Sequence, residues 1–511
     1  MKKINIVLSL LVVLLGSCSK FEEINKNPNN PSTVPAEMLL PPIISSAVGS
    51  MNASGSRAGQ YVQHLAWLGG TSESDGRYNL TGASYREEWN GPMRLIKDVN
   101  QLAGIAQANG QTQYQAIAAI MKVYILSLMT DAYGDIPYDE AGMGNVTGLE
   151  FPKYQAQQEV YERMLTDLES ANQLLKNLPA GTVISRDILF AGNAARWRKF
   201  ANSLKIRILM RQSNKADAAA RIGERVAAIF NNPSEYPVFT SAAEQAMLVY
   251  NNSTDFYSWY IQNPPADGSG VNFGDNARVS DVMVNFLKAA NDPRLTIFAA
   301  PTKKSYDANK ANPAQALVYR GIRAGLSSEE QKNLYPGLDN NDFSVIGSRI
   351  RKENRAFLLT YAELMLLKAE AIQRNMGVTG VAATAYLDGV RASFDNWPQL
   401  AGAQAAAPYI SDAQKTAYFQ QTGVGLSATE PLKQIAEQLW VNAFLNGFEG
   451  WAGWRRTGYP QLVPGPTVLS PIPVRYVYSD NEQNSPSLLA WVNANMGGKM
   501  PTHNTKVWFQ P

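Results

Sequence analysis

Apolar residues in this chain recur mainly at helical spacing. From Tyr114 to Thr130 the positions Tyr114, Ile117, Ala118, Met121, Ile125, Leu128 and Met129 follow an i, i+3, i+4, i+7 pattern, which places them on one buried helical stripe. Comparable stripes run through Val160 to Leu178, through Trp197, Phe200, Leu204 and Ile208, and through Phe357, Tyr361, Leu364, Met365 and Ile372. Each ends near Gly, Pro or Asn. The pattern predicts a mainly α fold with little β structure. Three long segments interrupt it, Gly49 to Gly91, Tyr236 to Asn276 and Ala299 to Ile350, and they hold Gly, Ser, Asn, Pro and many aromatics. Loops this long in a compact protein are usually functional or disordered, and their aromatic content argues against disorder, so the binding surface is expected there.

Two antiparallel helix pairs are expected, Tyr114 to Thr130 with Gln155 to Leu178, and Phe357 to Arg374 with Val381 to Phe394. Their Ala-rich faces and short connections resemble tetratricopeptide units. Such a pair leaves an apolar face uncovered and must stack on neighbours, which favours a single body over residues 36–511.

The amino terminus has another character. Two lysines, an apolar run from Ile4 to Leu15 and small residues make residues 1–17 read as a secretory signal, too short to span a bilayer, and no later apolar run reaches ~20 residues. The one cysteine follows at once, in the series Leu15, Gly16, Ser17, Cys18, which resembles the bacterial lipobox. That resemblance implies cleavage before Cys18 and acyl chains on it, each buried CH₂ adding ~0.8 kcal/mol of membrane affinity. Residues 18–35, polar and rich in Asn and Pro, read as a lipidated tether. Lys20, Glu22 and Glu23 resemble the acidic signal that sends Bacteroidetes lipoproteins to the outer face, and equally fit a solvated charge run.

Composition narrows the chemistry. The 46 basic and 43 acidic residues give a net charge of +3, which provides no basic field for nucleic acid. With only 2 histidines, His64 and His503, a His-rich zinc site or a His-dependent triad has almost no candidates. Neither a P-loop nor a dinucleotide fingerprint occurs. The run Asp339, Asn340, Asn341, Asp342 lacks the glycine and spacing of an EF-hand and is read as a turn, leaving no metal or cofactor apart from the lipid on Cys18.

Five segments together resemble the second branch of the SusD/RagB family of Bacteroidetes outer-membrane nutrient-binding lipoproteins. They are DAYGDIPY from Asp131, GNAARWRKFANSLKIRILMR from Gly192, DPRL from Asp292, LLTYAELMLLKAEA from Leu358 and GFEGWAGWRRTGYPQLVP from Gly447. Each also has a plain structural reading. Gly134 and Pro137 stop the helix that ends near Asp131. Arg196, Arg198, Lys199 and Arg207 flank a core stripe and keep their charges wet. Glu363 and Glu370 pair with internal arginines, while Arg455 and Arg456 bind helix-end carbonyls and Glu449.

The resemblance implies a non-catalytic surface protein that captures a nutrient, most often an oligosaccharide, as the lid of a SusC-like TonB-dependent transporter. Sugar binding asks for aromatic faces against sugar rings and polar side chains for hydroxyls. Two loops offer both: Trp67, Arg77, Tyr78, Asn79, Tyr85 and Trp89 in the first, and Asn251, Asn252, Asp255, Tyr257, Trp259 and Tyr260 in the second. For any one of these aromatics, core packing or transporter contact is the competing assignment. A peptide ligand, a glycoside hydrolase with paired carboxylates and a tetratricopeptide scaffold for protein partners are the alternative functions.

Cys18→Ala is expected to release the protein from the membrane or leave it with an uncleaved signal. Fractionation in high salt, in cells lacking the transporter, checks this. Retention as tight as wild type would contradict lipidation.

Overall fold

The computed structural model describes residues 34–68, 75–249, 271–347, 350, 355–396, 410–465 and 471–511. Cys18 and the expected signal lie outside these residues, as do Asn251, Asn252, Asp255, Tyr257, Trp259 and Tyr260.

Among the described residues, six helices of more than ten residues follow one another along the first half of the chain, each packing on the next: α1 (Ala36–Tyr61), α2 (Arg86–Ala108), α3 (Thr112–Tyr133), α4 (Gln157–Lys176), α5 (Ala194–Arg211) and α6 (Ala219–Asn231). The second half adds α7 (Asp281–Ala289), α8 (Lys303–Ala311), α9 (Tyr361–Gln373), α10 (Ala382–Asp395), α11 (Asp412–Phe419), α12 (Pro431–Asn442), α13 (Gly447–Thr457) and α14 (Pro486–Asn495). The two expected pairs are present, α3 on α4 and α9 on α10. α9 continues onto α12, α12 onto α13, and α13 returns to α1. One apolar cluster consequently runs from Ala36 to Phe509. Strand structure among the described residues is confined to two antiparallel ladders, β1 (Leu65–Trp67) with β3 (Ala277–Val279) and β2 (Ala246–Val249) with β4 (Arg355–Leu359).

Local chemistry sets several boundaries. α3 stops at Gly134, whose φ of 82° is open to glycine at little strain. α5 starts where the Asn193 side chain accepts from the Arg196 N–H, and α9 where Thr360 accepts from the Glu363 N–H. α3 is long and apolar enough to cross a membrane by length and composition, yet it lies mostly buried between α2 and α4.

Two expectations are corrected. The first and third long segments are not loops throughout, because α1 runs through Gly49, Gly55 and Gly59 to Tyr61, α2 begins at Arg86, and α8 lies between Ala299 and Ile350. Two of these glycines permit close approach: a Cβ at Gly447 would sit 2.3 Å from both the Gly55 carbonyl and the Gly59 nitrogen. The stripe beginning at Phe357 divides, with Phe357 in β4 and the helix starting after Thr360.

Charge is buried between the helices. Arg207 donates to both Glu363 oxygens at 2.6 Å and to the Leu358 carbonyl at 2.8 Å. Arg211 donates to Asp131 at 3.0 Å and to Glu449 at 2.6 and 2.8 Å. Arg456 holds Glu370 and the Ser213 hydroxyl, and Arg374 also reaches Glu370, at 2.8 Å. The pairing expected for Glu363 and Glu370 is observed. Arg207, expected to stay wet, is 5% exposed because it spans from α5 to α9. Glu449 is paired with Arg211 at 2.6 Å and with Arg207 at 3.5 Å, whereas Arg456 is paired with Glu370. Arg455 instead lies over Trp451, 3.5 Å from the ring centroid, and donates to the Asp131 and Val474 carbonyls. Burial pushes its guanidinium down to about 9, against the pull of Asp131.

Burial acts to raise the Glu370 carboxyl, but Arg456 and Arg374 outweigh it and hold the group below its ordinary range. A depressed carboxyl contributes stability above its unfolded pKa, near 4.5, and loses it as pH falls through the folded value. Glu370→Gln should lower unfolding free energy by ~3–5 kcal/mol at neutral pH, since Arg456 is left buried without its countercharge, and should flatten the loss of stability below pH ~4.5. Urea titrations across pH check both; an unchanged midpoint would contradict the assignment.

Candidate ligand-binding face

The three long segments meet. In the β1–β3 ladder Trp67 lies opposite Ala277, and the Leu68 N–H donates to the Asn276 carbonyl at 3.0 Å, so the end of the second segment is bonded to the first. The third segment joins through Arg77, which pairs with Glu330 at 2.6 Å, and through Gly76, where an added Cβ would lie 3.1 Å from the Gly325 nitrogen. Arg57 of α1 fixes the other side of this strap, pairing with Asp75 at 3.4 Å and with Glu88 of α2. Burial raises the Asp75 and Glu88 carboxyls, with Arg57 acting in the opposite direction on each.

The aromatic side chains of the first segment divide between this face and the core. Trp67 is half-buried and Asn79 is exposed. Tyr78 is buried at a φ of 62°, its ring edge-on to Tyr61 with centroids 5.7 Å apart, and burial pushes its hydroxyl pKa up. Tyr85 is fully buried, its hydroxyl 3.0 Å from that of Tyr61 and 2.8 Å from His503 Nε2. Trp89 is 3% exposed, packed edge-on against Tyr133 and Tyr478 and donating to Glu482 at 3.2 Å. The rings of Tyr78, Tyr85 and Trp89 thus line a tyrosine-rich core. Trp67, Arg77 and Asn79 remain at the face.

Sequence reasoning assigned no role to an aromatic pair further along. Phe273 and Tyr306 are half-buried with centroids 5.3 Å apart, and Lys303 lies 5.9 Å from the Phe273 ring centroid. Their signal was the aromatic content of the two segments that carry them. The Asp339 to Asp342 run forms the expected turn, in which Asp339 caps a short 3₁₀ turn and Lys304 pairs with Asp342 at 2.5 Å. Among the described residues no cluster of His, Cys, Asp or Glu has the grouping to hold a metal. His64 is buried with Nε2 donating to the Trp440 carbonyl at 2.9 Å, and burial pushes its pKa down to about 3. An inner cavity of about 60 Å³ lies within the ion-pair network, walled by Arg207, Glu363, Asn442 and Glu449. At ~10–15 Å³ per water it has room for a few waters and none for an oligosaccharide.

A family profile described as "Starch-binding associating with outer membrane", of SusD-like type, matches residues 28–479. The chain belongs to this SusD-like family. A solved structure named a chitin-binding protein is 26% identical, aligned over 93% of this chain and 99% of its own, with a TM-score of 0.74. A Bacteroides vulgatus outer-membrane protein titled as probably involved in nutrient binding is 24% identical over 94% and 100%, with a TM-score of 0.76. A SusD homologue from Bacteroides fragilis is 23% identical over 94% and 99%, with a TM-score of 0.75. No protein of curated function matches. The SusD-like helical fold and the resemblance read from the five sequence segments are thereby established.

Trp89→Ala should lower unfolding free energy by ~3–5 kcal/mol, as expected for a core aromatic. Chemical denaturation measures this. A loss below ~1 kcal/mol would place the ring at the surface.

Proposed function

We propose that this protein is a non-catalytic nutrient-binding lipoprotein, held at the outer membrane by acyl chains on Cys18 and exposed at the cell surface. It captures an oligosaccharide and passes it to a SusC-like TonB-dependent transporter for which it acts as the lid. The observation that carries this reading is the family match from residue 28 to residue 479, over a helical frame on which the three long segments meet. The family's description as starch-binding and the chitin-binding relative support a glycan over other nutrients. No cofactor is required, because stacking and hydrogen bonding supply the whole interaction.

Trp67 and Arg77 are the proposed contacts from the first segment. Asn252, Asp255, Tyr257, Trp259 and Tyr260 are those from the second. Tyr78 and Trp89 support the face from beneath, since a buried ring has no face to offer a sugar. Arg77 is rigid by virtue of Glu330, which lowers the entropy lost on binding.

Affinity purification in mild detergent should recover a β-barrel transporter with the protein, through its body and not its lipid. Recovery of the protein alone, from cells expressing an adjacent transporter, would contradict the lid role. Trp259→Ala should weaken oligosaccharide binding by ~1–3 kcal/mol with little change in melting temperature. Calorimetry and thermal melts check it; unchanged affinity would remove Trp259 from the site.

A further inference from the structure

A second feature lies on the helical frame, beside Tyr236, the first residue of the second long segment. Helices α4, α5 and α6, with the segment carrying Tyr236, enclose an open hollow of about 480 Å³. That size falls within the ~300–1,000 Å³ of small-molecule sites. Leu165, Leu209 and Ile229 close its floor as buried side chains, so the apolar surface it offers comes from the half-buried Tyr236 ring and the exposed Ala228. Its wall is polar and locked in place. Lys205, 6% exposed, pairs with Glu169 and lies 4.6 Å from the centroid of the half-buried Tyr236 ring. Gln173 donates to Glu169 and to Glu235, at 2.9 Å each. Arg225 is held by Glu162 at 2.8 Å.

The chemistry of this wall selects its ligand. Each cation that lines the hollow already has a carboxylate, so a charged ligand would have to break an ion pair to bind. A neutral one need not. A carboxylate offers about four acceptor sites, and the Glu169 bonds to Lys205 and Gln173 leave capacity for hydroxyl donors. A half-buried tyrosine ring beside a fixed planar acceptor suits a molecule with one apolar face and an edge of hydroxyls. We infer that this hollow is a second, peripheral carbohydrate subsite that takes a neutral sugar unit of the same glycan. The inference rests on the glycan reading above. A weak second site on a repeating polymer raises overall retention through effective concentration, with no demand for tight binding of its own.

Ala228 is exposed and lines the hollow, so Ala228→Trp fills it without entering the core. Gln173→Ala removes one polar wall at a helical position that favours alanine. Maltohexaose and chitohexaose serve as soluble probes, and insoluble starch and chitin as polymers. Wild type is expected to bind a second hexasaccharide weakly, with crystallographic density between α4 and α6. Both variants should melt as wild type, lose that second site, and bind polymer at least ~10-fold more weakly. Unchanged polymer binding and stoichiometry in both variants would overturn the subsite while leaving the primary glycan reading intact. Failure of wild type to bind any of the four probes would overturn both.

Discussion

The structure depends on a set of guanidinium groups buried between helices. Arg207 and Arg211, one turn apart on α5, reach Glu363 on α9, Asp131 on α3 and Glu449 on α13, while Arg456 on α13 reaches Glu370 on α9. Apolar packing between helices is nondirectional and tolerates sliding. A bidentate guanidinium–carboxylate pair does not, since two parallel hydrogen bonds fix both distance and angle. Buried pairs give little net stability over apolar replacements, but breaking one strands a charge in a low-dielectric interior. The network therefore acts on register more than on total stability. It ties helices from the two halves of the chain into one frame.

That frame positions the candidate site. Strand β4, whose Leu358 carbonyl is bound by Arg207, pairs with β2 at the start of the second long segment, and β3 at its end pairs with β1 of the first. Both ends of the segment carrying the proposed aromatic contacts are thus fastened to the core. Fixing the ends of a ligand-binding segment lowers the entropy lost on binding. The same consideration applies to the strap from Asp75 to Tyr78, which Arg57 and Glu330 hold from opposite sides.

Much of this was legible in the sequence, and the reasons for the rest are physical. Helical period exposed α3, α4, α5 and α9, because a one-sided apolar stripe leaves a 3.6-residue signature. It missed the end of α1, where Gly49, Gly55 and Gly59 read as loop punctuation. The last two allow Gly447 of α13 to approach. Composition alone could not separate Trp67 from Trp89. Both sit in an aromatic-rich stretch, and only the tertiary partners of Trp89, namely Tyr133, Tyr478 and Glu482, assign it to the core. Arg207 reads as wet from sequence because a single chain segment does not reveal a carboxylate 156 residues away. The meeting of the three long segments rests on the short β1–β3 ladder, whose three-residue strands are below the length at which alternation is informative.

The central claim, that buried charge pairs set the helical frame, is tested most directly by a double-mutant cycle on Arg207 and Glu363, using Leu at each position and urea denaturation as the readout. The account predicts that each single change lowers unfolding free energy by ~3–5 kcal/mol. The double change should lose less than the sum, with a coupling of ~1–3 kcal/mol. Single changes near zero that simply add would contradict it.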